Sequence, residues 1–453
     1  MNDFPIWQHG TRSSFLTLEG TVEADVAIIG GGLTGVTCAM MLSSLGKRVV
    51  LLEKDELGSG SSKASTGKVT AHQPDVLRTI QRAVSNEAAA VYTRLLLESI
   101  AGVCHVVEQL HLPCSPAMND VYLYARQRNQ VSALTHLTRS EQQSGLVLEE
   151  SEDAPCPFPV VASSRLPAQP LLMPLPYLMG LARAAEQHEA QVYEHSRVLR
   201  FERGKVFTGQ GMVSANTVIL ATGSPMGLKS LPILGLMEQH VLELRVLQGP
   251  PVSATQIDVL PDGLYLRPLP NGVIATYDLG LTGDDHGKRT RMLDSLLLRL
   301  LPGYRTTYRL VSQDVFSVDG LPLIGPVHPG DNSLLMATAY SGWGVTGSFL
   351  AARLLTGIIL GKPLQETPLF HPHRVYPGHT RQILRGSVRP MTAYAAGILH
   401  PTAPACPHMG CRLRYSRQAQ QWECPCHGSC FSGEGHVLHT PAASPAPVSP
   451  RPN

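Results

Sequence analysis

The stretch Asp25-Val-Ala-Ile-Ile-Gly-Gly-Gly-Leu-Thr-Gly35 decides the reading of this chain, because an apolar run breaks into glycines and the pattern then turns helical. Val26, Ala27, Ile28 and Ile29 show no polar alternation, as a parallel strand buried on both faces requires. Gly30, Gly32 and Gly35 fill the three glycine positions of G-x-G-x-x-G. The first permits a tight turn, the second lets backbone approach a pyrophosphate, and the third lets helix pack on strand. The helix opening there aims free N–H groups at an anion. A second apolar run, Arg48-Val-Val-Leu-Leu52, ends at Glu53, about where an acidic side chain accepts from a ribose hydroxyl. The competing reading is a ligand-free glycine turn between two core strands; the flanking strands and Glu53 argue against it. The motif alone does not separate NAD from FAD.

At 453 residues the chain exceeds what one core usually holds, so two or three domains are expected. A hydrophobic content of 43% and a charged content of 16% describe an ordinary globular protein. The net charge of +2 gives no long-range field for nucleic acid or an anionic membrane, and no nucleic-acid partner is expected. The first twenty-five residues carry Asp3, Glu19 and Glu23 and lack the apolar core of a signal peptide, so a cytoplasmic location is expected. The longest apolar stretches, Val26 to Leu42 and Phe349 to Leu360, are broken by glycine and threonine, and no membrane span is read.

Beyond Glu53, the loop Gly58-Ser-Gly-Ser-Ser-Lys-Ala-Ser-Thr-Gly67 is too polar and glycine-rich for a regular element. Pro74 to Leu110 reads as two helices, Val121 to Tyr124 as a short strand, Pro174 to His188 as a helix, and Val192 to Phe207 as a ribbon of strands. Thr217-Val-Ile-Leu-Ala-Thr-Gly223 is a buried strand ending in glycine, placed to pack against a dinucleotide from the other side. Tyr265-Leu-Arg-Pro-Leu and Val273-Ile-Ala-Thr-Tyr meet at Pro270-Asn-Gly272, a hairpin signal. Arg291 to Leu301 is helical. Asp319-Gly-Leu-Pro-Leu-Ile-Gly325 and Leu334 to Thr338 are buried strands, followed by Ser341-Gly-Trp-Gly-Val-Thr-Gly347 at the start of another helix. That second glycine turn offers N–H groups and a helix dipole to the anionic end of a flavin ring.

Taken in order, these elements resemble the D-amino acid oxidase and glycine oxidase family of FAD enzymes over about residues 20 to 372. The resemblance implies an α/β, Rossmann-like FAD-binding part of the glycine oxidase type with an interleaved α+β substrate part, together spanning 20–376. The FAD-binding part covers about 20–80, 165–230 and 315–372, and the substrate part about 81–164 and 231–314. It also implies that Gly30, Gly32, Gly35, Glu53, Gly223, Gly342 and Gly344 hold FAD, and that the Gly58 to Lys68 loop lies near the isoalloxazine. The strand Tyr265-Leu-Arg267 sits where such enzymes line the substrate site, which makes Arg267 and Tyr265 the candidate substrate ligands.

Cysteine is informative by position. Cys38, Cys104, Cys114 and Cys156 are scattered, while Cys406, Cys411, Cys424, Cys426 and Cys430 crowd together, which reads as a metal site rather than a disulfide framework. Cys406-Pro-His408-Met-Gly-Cys411 and Cys424-Pro-Cys426-His427-Gly-Ser429 give C-x-H, then C-x-x-H. Two Cys and two His also suit tetrahedral zinc, but C-x-H is tighter than the usual zinc spacing. The pattern resembles the Rieske [2Fe–2S] domain. That resemblance implies thiolate ligands Cys406 and Cys424 on one iron, imidazole ligands His408 and His427 on the other. It further implies a Cys411–Cys426 disulfide and a hydrogen bond from Ser429 to a cluster sulfur. Phe431 stands where many such domains carry a tyrosine, and the segment before Pro404 is short for the sheet that normally precedes the first ligand loop. A small, shortened all-β Rieske domain is expected over 377–445, with a disordered tail over 446–453. Cys430 has no role in the family and reads as a buried thiol.

FAD takes two electrons and the cluster carries one at a time, so the fusion implies a path from flavin through cluster to an outside one-electron acceptor. The leading expectation is a dehydrogenase acting on a small amine or amino acid by hydride transfer to the flavin. Two rivals use the same residues: a reductase fed through the cluster, and a redox sensor or electron-transfer module with no substrate of its own.

Overall fold

The computed structural model describes residues 7, 15–151, 154–260, 262–376, 391–399, 403–417 and 419–448. Gly20–Ile29 lies at the centre of an eight-stranded sheet, parallel to Val49–Leu52 on one side and to Gly211–Leu220 on the other. Asp331–Thr338 continues it in parallel, and Leu323–His328 closes that edge antiparallel. Leu33–Ser44 packs between Pro174–Gln187 and Gly344–Ile359. Ten of its twelve residues are buried, so it has no polar face, as a helix sandwiched between a sheet and two helices requires.

A second eight-stranded sheet runs Arg305–Ser317, Met237–Gln248, Gly272–Leu281, Tyr265–Leu269, Thr255–Asp258, Ala117–Ala125, Ala162–Leu171, Glu149–Ser151. The hairpin at Asn271-Gly272 forms as the sequence predicts, with Leu269 opposite Gly272. Gly272 has φ +145°, and a Cβ there would lie 1.9 Å from the Leu247 carbonyl oxygen, so the tight approach of the neighbouring strand admits glycine alone.

Three expectations are corrected. Gln191–Tyr193 is the outer parallel strand of the first sheet, and only Arg200–Glu202 with Lys205–Phe207 form the ribbon. Val192 is buried, and the free edge of Val49–Leu52 takes it. The expected partition shifts at two places. Helix Asn86–Gln109 buries Ala89, Tyr92, Leu95, Leu96 and Val103 in the core of the first sheet's helices, whereas Ala162–Leu171 belongs to the second sheet. That helix is long and apolar enough to cross a membrane by length and composition; here it packs in that core. The tail expected from 446 is held at least at its start, since Ala446 is buried and donates to the Gly435 carbonyl at 2.9 Å; residues 449–453 lie outside the described residues.

Four short antiparallel strands, Arg414–Ser416, Gln421–Glu423, Cys430–Phe431 and Val437–His439, build the third sheet. Within the segment expected to be too short for a further sheet, 391–399 is a helix, and Ala393 from it packs with Cys411, Leu413 and Trp422. Residues 377–390 and 400–402 lie outside the described residues.

Candidate functional site

A cavity of about 920 Å³ opens at the carboxyl ends of the central parallel strands, where ligands enter sheets of this kind. Gly30, Gly32, Glu53, Gly223, Gly342 and Gly344 all line it. Gly35 does not, because it serves packing: a Cβ there would lie 1.9 Å from the Gly30 carbonyl oxygen. A Cβ on Gly30, at φ +111°, would lie 2.5 Å from the Ala221 carbonyl oxygen. Gly32 at the N-cap offers no side chain to Leu33–Ser44; the Ser62 hydroxyl accepts from Leu33 N at 3.1 Å, and the first turn faces the cavity through Leu33 and Thr34. The Glu53 carboxylate is buried and accepts from Gly31 N at 2.7 Å and Asp55 N at 3.0 Å. Burial raises its pKa, and the two backbone donors oppose that rise. Two of its four lone-pair sites remain for sugar hydroxyls. Glycine cradle, helix N-terminus and buried acid together fit the adenosine diphosphate half of FAD.

The second sheet supplies the rest of the wall, including His240, Leu242, Leu244, Tyr265, Thr276 and Asp278. Lys68 reaches the cavity with Nζ 5.3 Å from the Tyr265 ring centre and 5.2 Å from the Trp343 ring centre. It has no anionic partner among the described residues; burial, with Arg267 nearby, lowers its pKa to about 8. The carboxyl of Asp75, which also lines the cavity, is raised by burial and opposed by Arg78; Tyr265 is its hydrogen-bond partner. His240 Nδ1 lies 2.8 Å from Asp278. Burial opposes its charge, but Asp278 and Glu238 outweigh burial and raise it to about 9, so a cation lines this wall at neutral pH. Burial pushes Asp314 up to about 6 against the backbone donors Val315 and Gly342.

Tyr265 therefore stands in the cavity, while Arg267 stands behind it. The Arg267 guanidinium lies 4.7 Å from the Trp7 ring centre and donates to the carbonyls of Leu172 and Pro268, outside the cavity lining. Lys68 and Trp343 fall in the loop and the glycine turn that the sequence marks, whereas Asp75 and His240 are wall residues in no motif. His240 and Asp278 meet only through strand pairing, and no local spacing marks them.

In the loops beside the third sheet, Cys406 and Cys424 are buried free thiols, and His408 and His427 face each other edge-on with ring centres 5.3 Å apart. Nδ1 of each histidine is buried without a hydrogen-bond partner among the described residues. Burial lowers the pKa of both rings, keeping them neutral as metal ligands must be. The Cys424 thiol, then backbone N–H groups and Ser429, hold Cys406 below its ordinary value. Cys411 and Cys426 form the disulfide. Two thiols, two orphaned imidazole nitrogens and a hydroxyl aimed at a ligand sulfur fit a [2Fe–2S] cluster held by Cys406, Cys424, His408 and His427.

Phe431 is fully buried in the same core as Cys406 and Cys424. Hydrogen bonds to cluster sulfurs favour the more negative reduced state. Phe431→Tyr is expected to raise the cluster midpoint by tens of millivolts, since one such bond is worth about 1 kcal/mol and about 59 mV is tenfold for one electron. A redox titration followed by the paramagnetic signal checks it. A midpoint that stays put or falls means that the ring edge does not face the cluster.

This domain is docked on the other two sheets. His408 Nε2 lies 2.5 Å from the Leu228 carbonyl oxygen. Glu423, buried, accepts from Gly283 N at 2.7 Å and pairs with His286 at 3.5 Å. Gln313, a cavity residue, donates to the Cys430 sulfur at 2.9 Å, so that buried thiol is an interface contact. Val437, Leu438, His439 and Thr440 line the cavity themselves.

Residues 25–358 match the family described as FAD dependent oxidoreductase, and residues 368–450 match the Rieske [2Fe-2S] domain, whose span starts slightly before the expected boundary. The chain is 25% identical to YhfW of Bacillus subtilis, named a Rieske 2Fe-2S iron-sulfur protein, across 97% of this chain and 96% of that protein. It is 24% identical to gamma-glutamylputrescine oxidoreductase of Escherichia coli, across 80% of this chain and 90% of the relative. Glycine oxidase from Geobacillus kaustophilus superposes with a TM-score of 0.66 at 20% identity, covering 78% of this chain and 99% of that one. The chain thus belongs to the DAO family of FAD-dependent oxidoreductases and carries a Rieske [2Fe–2S] domain behind its flavin-binding region.

Proposed function

We propose that the enzyme oxidises a small amine or amino acid at a C–N bond and passes the electrons through the cluster to an external one-electron acceptor. FAD, when bound, supplies the hydride acceptor. The substrate carbon gives up a hydride and its nitrogen a proton, leaving an imine for hydrolysis by water. Asp75, paired with Tyr265, offers an anionic partner to a substrate ammonium, and Lys68 offers a cationic partner to a carboxylate. The relatives named for gamma-glutamylputrescine and glycine chemistry support this substrate class. The observation that carries the reading is the docking itself: the domain holding Cys406, His408, Cys424 and His427 forms part of the flavin cavity's wall, with His408 hydrogen-bonded to Leu228.

Anaerobic mixing with a panel of amines and amino acids tests it. The expected result is loss of flavin absorbance with one compound, followed by growth of the reduced cluster's paramagnetic signal. A flavin that stays oxidised with every amine but is reduced when a low-potential donor is added to the cluster would favour a reductase instead.

A further inference from the structure

We propose that the iron–sulfur domain is a structural part of the FAD site, closing the adenosine half of the cavity with residues 437–443, so that FAD retention and domain docking are thermodynamically coupled. The inference rests on membership of the FAD family and is independent of which substrate is oxidised.

The segment spans the cavity between two fixed flanks. On one flank Lys54, next to Glu53, donates Nζ to the Leu438 carbonyl at 3.0 Å, and Arg197 donates to the Val437 carbonyl at 3.4 Å. On the other flank Thr440 Oγ1 donates to the Ser224 carbonyl at 2.5 Å and lies 3.3 Å from that of Thr222, while Gly227 N donates to the Pro441 carbonyl at 2.9 Å. Lys54 on one flank and Thr222 and Ser224 on the other directly adjoin Glu53 and Gly223, the loop residues just beyond the ends of Val49–Leu52 and Gly211–Leu220. His439, Ala442 and Ala443 line the cavity between them.

His439 pairs with Cys430 through its backbone, while its ring has no hydrogen-bond partner among the described residues and lines the cavity. Burial, with Lys54 and Lys63 close by, pushes its pKa down to about 4. A neutral imidazole has one donor and one acceptor, which suits the hydroxyls of a ribose or the edge of an adenine. None of residues 437–443 belongs to the region that matches the flavoprotein family. If docking tightens FAD by some factor, FAD tightens docking by the same factor.

The test uses the full chain. FAD is removed and re-added to the parent and to His439→Ala, binding is read by quenching of flavin fluorescence, and the cluster's visible and paramagnetic spectra report that the domain remains assembled. The expected result is FAD binding about tenfold weaker in the variant, the loss of roughly one buried hydrogen bond, with the cluster spectra unchanged. An unchanged dissociation constant with an intact cluster overturns the proposal. Should the variant lose its cluster, hydrogen exchange on the parent chain decides: amides of 437–446 that exchange more slowly with FAD bound than without it support the coupling, and equal rates overturn it.

Discussion

Purified Glu53→Lys protein is expected to carry no bound flavin while keeping the colour of its iron–sulfur cluster. The Glu53 carboxylate is 8% exposed and accepts two backbone N–H groups, from Gly31 and Asp55, on the rim of the FAD cavity. Lysine would put an ammonium among donors already aimed at that point, and the ribose hydroxyls would lose their acceptor. Removing a hydrogen-bonded charge from such a site costs about 3 kcal/mol, so FAD should bind at least about a hundredfold more weakly. Glu53→Gln, which keeps one carbonyl oxygen but turns an amide toward the second N–H, should fall between. Flavin absorbance per mole of protein gives the occupancy, and circular dichroism gives the fold. A Glu53→Lys protein that releases as much flavin on denaturation as the parent would end the assignment of Glu53 to the ribose.

Arg374→Ala is expected to lower stability by about 3–5 kcal/mol, because it strands a buried carboxylate. Nε and Nη2 of Arg374 meet the two oxygens of Asp319 at 2.8 Å each, with side-chain exposures of 2% and 0%. The same guanidinium donates to the carbonyls of Leu321, Pro322 and Phe370. It thereby ties residue 374 to the loop that leads into Leu323–His328. Arg374→Lys should recover little, since an ammonium cannot reproduce the two-pronged contact. The double change Arg374→Met with Asp319→Asn should lose less than the sum of the singles, because no unpaired charge remains. Urea unfolding of the parent, Arg374→Ala, Arg374→Lys, Arg374→Met, Asp319→Asn and the double variant, read by tryptophan fluorescence, measures this. A single-site loss under about 1 kcal/mol would mean that water reaches Asp319 in the native state.

What sequence could deliver followed range. Gly30, Gly32, Gly35 and Glu53 lie within one strand-helix-strand unit, and each glycine answers to a local steric demand that a chain can show in a few letters. Cys406 with His408 and Cys424 with His427, the candidate cluster ligands, stand out for the same reason, since each pair sits in one short loop. Arg267 misled because alternation along Tyr265–Leu269 gives both Tyr265 and Arg267 the same side, while only the packing of Trp7 and the Leu172 carbonyl shows which of them reaches the cavity. His240 with Asp278, Lys68 with Trp343, and Arg374 with Asp319 are partners made by strand pairing and loop packing between distant segments. Asp319 itself was visible as the head of a glycine-proline stretch, yet its partner lies 55 residues later and in no motif. The contribution of 437–443 to the flavin cavity was hidden most deeply, because two domains that each read as complete meet there.

The strand that covers the cavity also imposes an order of events during synthesis. Leu438 is added 384 residues after Lys54, with which it is hydrogen-bonded. At ~5–20 residues per second, about 20–80 s separate the two on the ribosome. The glycine turn and Glu53 emerge within that interval with the future covering segment not yet made, so the nascent chain passes through a stage in which its dinucleotide site stands open to the cellular pool of flavin.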